Sequence, residues 1–308
     1  MVKARNVMKS LRIKDFLQID GKITGNGLMP KSKSDIWYVW EKKDSGNTGS
    51  GTSWDDAFLT FGEANTAAGD NDYIFVGPGS YDEGAAITLT QDYLTIIGTN
   101  SNNNMHEAYF YASSAVNDIM IVKDDKLRIY NMGFFQTNAA KACVIFGDTD
   151  GQAYYQNLFD GCKFDGGTYG LISGGTLGGA GNVSAPDLVV RNCKFESQKT
   201  ASIVMNWDRA IVESNTIHVD AGNAGISMTQ TVGNRPDQII RNNDILGCDS
   251  TDTGIQIDNS PTAGTFKVIG NNICGCATSI TTGKGGDEDF LYNQVSNATG
   301  GEIFDPSP

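Results

Sequence analysis

Histidine and proline are scarce in this 308-residue chain, with 2 and 7 copies. His106 and His218 lie far apart in it, so an imidazole base held by an orienting partner is not expected. Few prolines beside 37 glycines exclude a collagen-like or proline-rich chain and point to tight turns between short strands. Long apolar runs are missing as well. The opening MVKARNVMKSLRIKDFLQID carries a charge every few residues, which predicts neither a Sec leader nor a membrane-spanning segment. No phosphate loop, zinc spacing or dinucleotide fingerprint occurs. In a reducing compartment the six cysteines, Cys143, Cys162, Cys193, Cys248, Cys274 and Cys276, are expected as buried thiols.

The net charge of −13 is unevenly spread. Residues 1–43 hold ten Lys/Arg against four Asp/Glu, and the rest of the chain holds thirteen against thirty-two. An acidic body repels a phosphate backbone, so no nucleic acid is expected on it. The basic segment, residues 1–35 with Lys3, Arg5, Lys9, Arg12 and Lys14, is the candidate anchor for an acidic partner surface.

What the chain has instead is a repeated phrase. DLVVRNCKFES, AIVESNTIHVD, QIIRNNDILGC and FKVIGNNICGC each carry an alternating apolar pair, a small polar residue and then one large apolar residue. The closing residues Phe134, Phe164, Phe195, Ile217, Ile245, Ile273 and Val295 fall 22 to 31 residues apart, a solenoid period. Alternation with period two means strand. A third short strand, as in GLIS, SIVM, GISM and GIQI, completes each unit. Two places before the closing residues from Phe164 onwards stand Cys162, Cys193, Asn215, Asn243, Asn271 and Asn293, with the asparagines predicted to stack as an amide ladder inside a turn.

Three short strands per unit and this asparagine column resemble the right-handed parallel β-helix (pectin-lyase-like) superfamily over roughly residues 36–296. In organisation the chain is most similar to bacteriophage virion β-helix proteins. The expected fold is therefore an all-β, single-stranded right-handed parallel β-helix solenoid. Its predicted parts are a basic arm (1–35), an N-terminal cap with a short amphipathic helix (36–70), the β-helix (71–296) and a C-terminal tail (297–308). Trp54, Ala57, Phe58, Phe61 and Ala64 have the spacing of that helix, with Thr52 or Ser53 as its cap and Asp55 and Asp56 in its first turn.

The resemblance implies that acids, bases and calcium ligands of the superfamily's enzymes lie on the glycine-led strand and its adjoining loops. The outward positions of that strand here read Ile145, Ile172, Val204, Ser227 and Gln256, with no titratable group. The apolar three are predicted as an oligomer face, by resemblance a trimer's. The leading expectation is thus a noncatalytic structural virion protein, a capsid decoration, head fibre or tail-associated spike, made without a Sec signal. Its arm would bind a capsid or tail protein. The alternative is a polysaccharide lyase or glycoside hydrolase using Asp208 and Asp237 as acid and base and Arg209 and Arg235 as carboxylate clamps. A glycan-binding fibre would use Trp207, Tyr154 and Tyr155. Asp187, Asp208, Asp237 and Asp287 also recur before each closing residue, which fits an aspartate starting the same turn in successive coils. No cofactor or metal site is expected, although GDTDG and DSTDTG resemble fragments of calcium loops.

Overall fold

The structure, a computed structural model, describes residues 34–41, 48–99, 107–112, 117–147, 152–173, 185–204, 209–220, 223–228, 238–247, 251–257, 266–282 and 288–296. Among them lie 27 strands and one helix, Phe61–Ala67. The strands form three wholly parallel sheets of ten, nine and eight members, visited in turn by the chain. Each strand therefore pairs with its counterpart one coil later, giving a right-handed parallel β-helix. The first sheet runs from Ile36–Val39 to Glu288–Leu291, the second from Gly79–Tyr81 to Gln294–Ser296, and the third from Ile87–Leu89 to Thr278–Thr282.

Alternation decides what enters the bore. On the second sheet Phe134, Phe164, Phe195, Ile217, Ile245, Ile273 and Val295 are successive register partners. The column extends upstream to Phe110 and Tyr81. Phe164 stacks between Phe134 (centroids 4.9 Å apart) and Phe195 (4.6 Å), with all three rings nearly parallel. Such pairs add to the burial of large rings.

At the turn between the first and second sheets the asparagine ladder forms. Asn215 donates its backbone N–H and its Nδ2 to Oδ1 of Asn243, at 3.0 and 2.9 Å. Asn243 does the same to Asn271, and Asn271 to Asn293. The second Nδ2 hydrogen of each reaches a carbonyl one coil earlier, Val190, Val212 and Ile240 respectively. Cys193 joins by donating its N–H to Asn215 Oδ1. Met132 occupies the same site above Cys162 and Cys193, since its carbonyl accepts from Lys163 as theirs accept from Lys194 and Thr216. The residue before each rung is left-handed: Asn131, Gly161, Asn192, Ser214, Asn242, Gly270 and Tyr292 all have positive φ. That conformation favours Asn, Ser and Gly, found at all of these positions but Tyr292, one place before the small polar residue of the repeated phrase.

A second left-handed column precedes the first sheet: Tyr93, Lys126, Gln156, Asp187 and Arg209. Arg209, not an aspartate, occupies the position equivalent to Asp187, two residues before the register pair Val189 and Ile211. The aspartate recurrence therefore does not run through these two coils. A left-handed turn accepts several residue types when their side chains lie in solvent.

The helix also begins later than expected. Thr60 is its N-cap, and with Glu63 it closes a reciprocal capping box. The stretch before it is a loop held by Asp56, whose carboxylate accepts from Ser50. Trp54 packs on Tyr38 and Trp40, and Phe58 on Trp37. These aromatics keep helical spacing because they line one side of a loop. Phe61 and Ala64 are fully buried, with Phe61 edge-on to Phe110 at 4.7 Å.

On the outer side of the third sheet Ala142, Ile172, Ala201, Val204 and Ala224 form an apolar cluster separate from the bore, with Ile145 and Tyr169 against it. Ile172 and Val204 retain only 4% and 2% of their surface. The two oligomer-face candidates are thus buried within a single chain, and Ile145 is half-buried.

Candidate functional site

Most of the charged and aromatic candidates from the sequence, Asp208, Asp237, Arg235, Trp207 and the anchor residues Lys3, Arg5, Lys9, Arg12 and Lys14, lie outside the described residues. Arg209 lies within them and forks onto Asp187, Nε to Oδ1 at 2.6 Å and a terminal nitrogen to Oδ2 at 3.0 Å. A guanidinium so engaged already clamps a carboxylate of its own chain. Tyr154 is not the exposed ring a glycan would need. It is buried against the bore, with its hydroxyl donating to Gln152 Oε1. Tyr155 is 44% exposed, and its N–H donates to Asp125.

The structure gathers a different set near the N-terminal end. A shallow cleft, open to solvent and with room for about one water, is lined by Asp82, Glu83, Tyr111, Asn117 and Asp118 around Tyr81, Ile87 and Ile119. Each carboxylate is positioned by backbone. Glu83 accepts the N–H groups of Phe61 (2.8 Å) and Gly62 (3.0 Å) at the start of the helix. Asp82 accepts from Gly84 in a local turn. Asp118 accepts from Ala142 N–H at 2.7 Å and faces the Lys141 ammonium at 3.9 Å. Glu83 holds its proton more tightly than a free carboxyl, because burial outweighs the two amide bonds and the charges of Glu63 and Asp82 add to it. Proton affinity raised in a cleft is the property a general acid needs. None of these residues stood out in the sequence reading. The signal was present in AYFYA, where alternation sends Phe110 into the bore and Tyr111 outward.

From Tyr111 a row continues along the outer face of the second sheet. Tyr111, Phe135, Asp165 and Glu196 are successive register partners. Tyr111 and Phe135 stack at 5.6 Å with 15° between their planes, and Phe135 is 40% exposed. Lys163 reaches Asp165 at 3.0 Å and Glu196 at 2.9 Å, and Lys194 also pairs with Glu196. Partial burial works against the Glu196 charge, yet hydrogen bonds from the two lysines win and hold its pKa down to about 2. Glu196 therefore stays ionised and cannot supply an acid.

Comparisons with known proteins place the chain among β-helices. Residues 151–302 match a protein-family model described as periplasmic copper-binding protein (NosD). No curated protein matches. Among solved structures, the pectin methylesterase of Aspergillus niger is 15% identical with a TM-score of 0.54, over 90% of this chain and 89% of that one. Pectin methylesterase PemA of Erwinia chrysanthemi is 10% identical with a TM-score of 0.51, over 84% and 80%. The enzymatically active domain of a tailspike protein from bacteriophage CBA120 is 12% identical with a TM-score of 0.42, over 67% and 32%. At these identities the likeness is one of fold: the chain is a right-handed parallel β-helix.

Copper would require thiolate, thioether or imidazole ligands converging on one point. In the matched stretch Cys162 and Cys193 are buried, and their Sγ atoms lie 3.6 Å from the carbonyls of Ile129 and Phe159. Burial, then the neighbouring Cys162, pushes the Cys193 thiol well up, away from the thiolate that copper prefers. No group of three or more His, Cys, Asp or Glu among the described residues could hold a metal. These residues do not fit a copper centre. No helix among them is long and apolar enough to cross a membrane.

Proposed function

We propose that this β-helix acts on a polysaccharide at the N-terminal cleft, with Glu83 as proton donor to a leaving oxygen and Asp118 as the second carboxylate. One observation carries this reading: the cleft joins a carboxyl of raised proton affinity, a second carboxylate and the outward ring of Tyr111. Two carboxyl groups flanking a glycosidic bond are the minimum for its hydrolysis. Structures of similar fold include pectin methylesterases, one of them in complex with a hexasaccharide, which agrees with a polysaccharide as ligand. Release of reducing ends or unsaturated products across a polysaccharide panel tests the proposal. Asp118→Asn keeps the acceptor for Ala142 N–H, so it should lower kcat by about 100-fold or more while leaving Tm in place. Release undiminished in this variant, or no release from any polymer, would sink the reading.

A noncatalytic virion component, trimeric and located on a phage capsid or tail through its basic segment, is the second reading. Its support is the excess of Lys/Arg in residues 1–43, a cationic segment suited to an acidic partner surface. Light scattering decides on the trimer. A monomer at all concentrations removes the trimer from this reading.

A further inference from the structure

We infer that the cleft is one end of an extended glycan-binding track along the outer face of the second sheet, through Phe135 to the Lys163–Glu196 network, and that its ligand is an electrically neutral polymer. The inference rests on the proposed polysaccharide reading and adds the direction, length and charge class of the ligand. Direction follows from register. Tyr111 belongs both to the cleft lining and to the column Tyr111, Phe135, Asp165, Glu196, so the track runs parallel to the helix axis, one position per coil. Spacing supports a chain ligand, because neighbouring strands stand about 4.8 Å apart, close to the advance of an extended sugar chain per unit.

Side-chain chemistry changes along the track as a sugar polymer would use it. Tyr111 and Phe135 stack on one another, and the part of Phe135 left exposed, 40% of its surface, offers an apolar contact to the C–H groups of a pyranose. Beyond them two ammonium groups and two carboxylates are held in one network. Their charges cancel, their positions are fixed, and the free lone pairs and N–H groups can meet hydroxyls. A polyanion gains nothing there and meets Asp82 and Asp118 at the cleft, with Lys141 the ammonium paired to Asp118. Outside residues 1–43 the chain holds thirteen Lys/Arg against thirty-two Asp/Glu, which repels a polyanion further.

The test is calorimetry on the full chain carrying Asp118→Asn, which stops turnover, with and without Phe135→Ala. Probes are three- and six-unit oligosaccharides of neutral glucan, galactan and mannan series, plus oligogalacturonates of both lengths with and without calcium. Phe135 is exposed on one side, so its truncation should leave the fold intact. The expected result is one neutral series whose six-unit member binds roughly tenfold tighter than its three-unit member, with that ratio collapsing towards one in Phe135→Ala. A purely structural role for Phe135 would weaken both lengths alike. A length ratio that survives Phe135→Ala overturns the track and leaves the cleft. Oligogalacturonate binding tighter than every neutral series, with or without calcium, overturns the charge class. No binding by any probe overturns the track and the cleft reading together.

Discussion

The two halves of the solenoid solve the same packing problem by different means. In the N-terminal coils the column facing the bore is aromatic, Phe110, Phe134, Phe164 and Phe195, and the adjoining turn holds Met132, Cys162 and Cys193, which bond weakly. In the C-terminal coils the column is Ile217, Ile245, Ile273 and Val295, and the turn is a ladder of amides bonded at 2.9–3.0 Å. Ring stacking carries one half and hydrogen bonding the other. The aromatic half also places rings outside, at Tyr111 and Phe135, and that is where the cleft lies.

This contrast predicts an order of effects. Phe164→Ala removes the central ring of the stack and should cost about 3–5 kcal/mol in denaturant unfolding. A loss no larger than that of Ile245→Val would show that stacking is not what holds this half. Asn243→Ala strips the acceptor from Asn215 N–H and Nδ2 and the donor from Val212 carbonyl. Each buried group so orphaned costs about 1–3 kcal/mol, and hydrogen exchange should quicken at Asn215 more than at Cys162. Equal exchange at both would erase the distinction between the halves.

The third test concerns Asp124, which fits neither device. It is 1% exposed, and both of its carboxylate oxygens are buried without a hydrogen-bond partner. Burial, reinforced by Asp92 and Asp125, pushes its pKa to about 8. An unfolded chain releases this proton near pH 4, whereas the folded one keeps it to about 8. Stability is therefore full below that window, falls as pH rises through it and levels off above. Asp124→Asn should raise Tm at pH 8 by the equivalent of about 1–3 kcal/mol and change it little at pH 4. A gain independent of pH would mean that the charge is not the cause. Smallest of all, Arg209→Ala breaks an exposed ion pair and should cost under about 1 kcal/mol, visible in thermal melts only at low salt.

How much of this was legible in the sequence follows from the same contrast. The closing residues and the asparagines recur at a fixed offset, so periodicity alone places them. Phe110 and Tyr81 belong to the same column but lack an asparagine or cysteine two places earlier, and Met132 hides the turn site behind an unrelated side chain. The helix start was misplaced because Trp54 and Phe58 have helical spacing while packing from a loop, and the capping box at Thr60 and Glu63 outweighs them. Asp187 and Arg209 share a turn position that selects for backbone conformation, which a search for aspartates cannot see. The cleft escaped for a further reason. Its carboxylates come from two coils and are joined only when register brings Gly79–Tyr81 beside Ala108–Ala112.

The asparagine ladder has a direction. Asn215, Asn243 and Asn271 each hand the backbone N–H and one amide hydrogen to the next rung towards the C-terminus, and they are equally spaced in the chain. A copied 28-residue unit inserted between them would find an acceptor below and a donor above already waiting. A protein built this way can lengthen by duplication in its C-terminal half without retuning, while the individually fitted rings of the other half resist such growth.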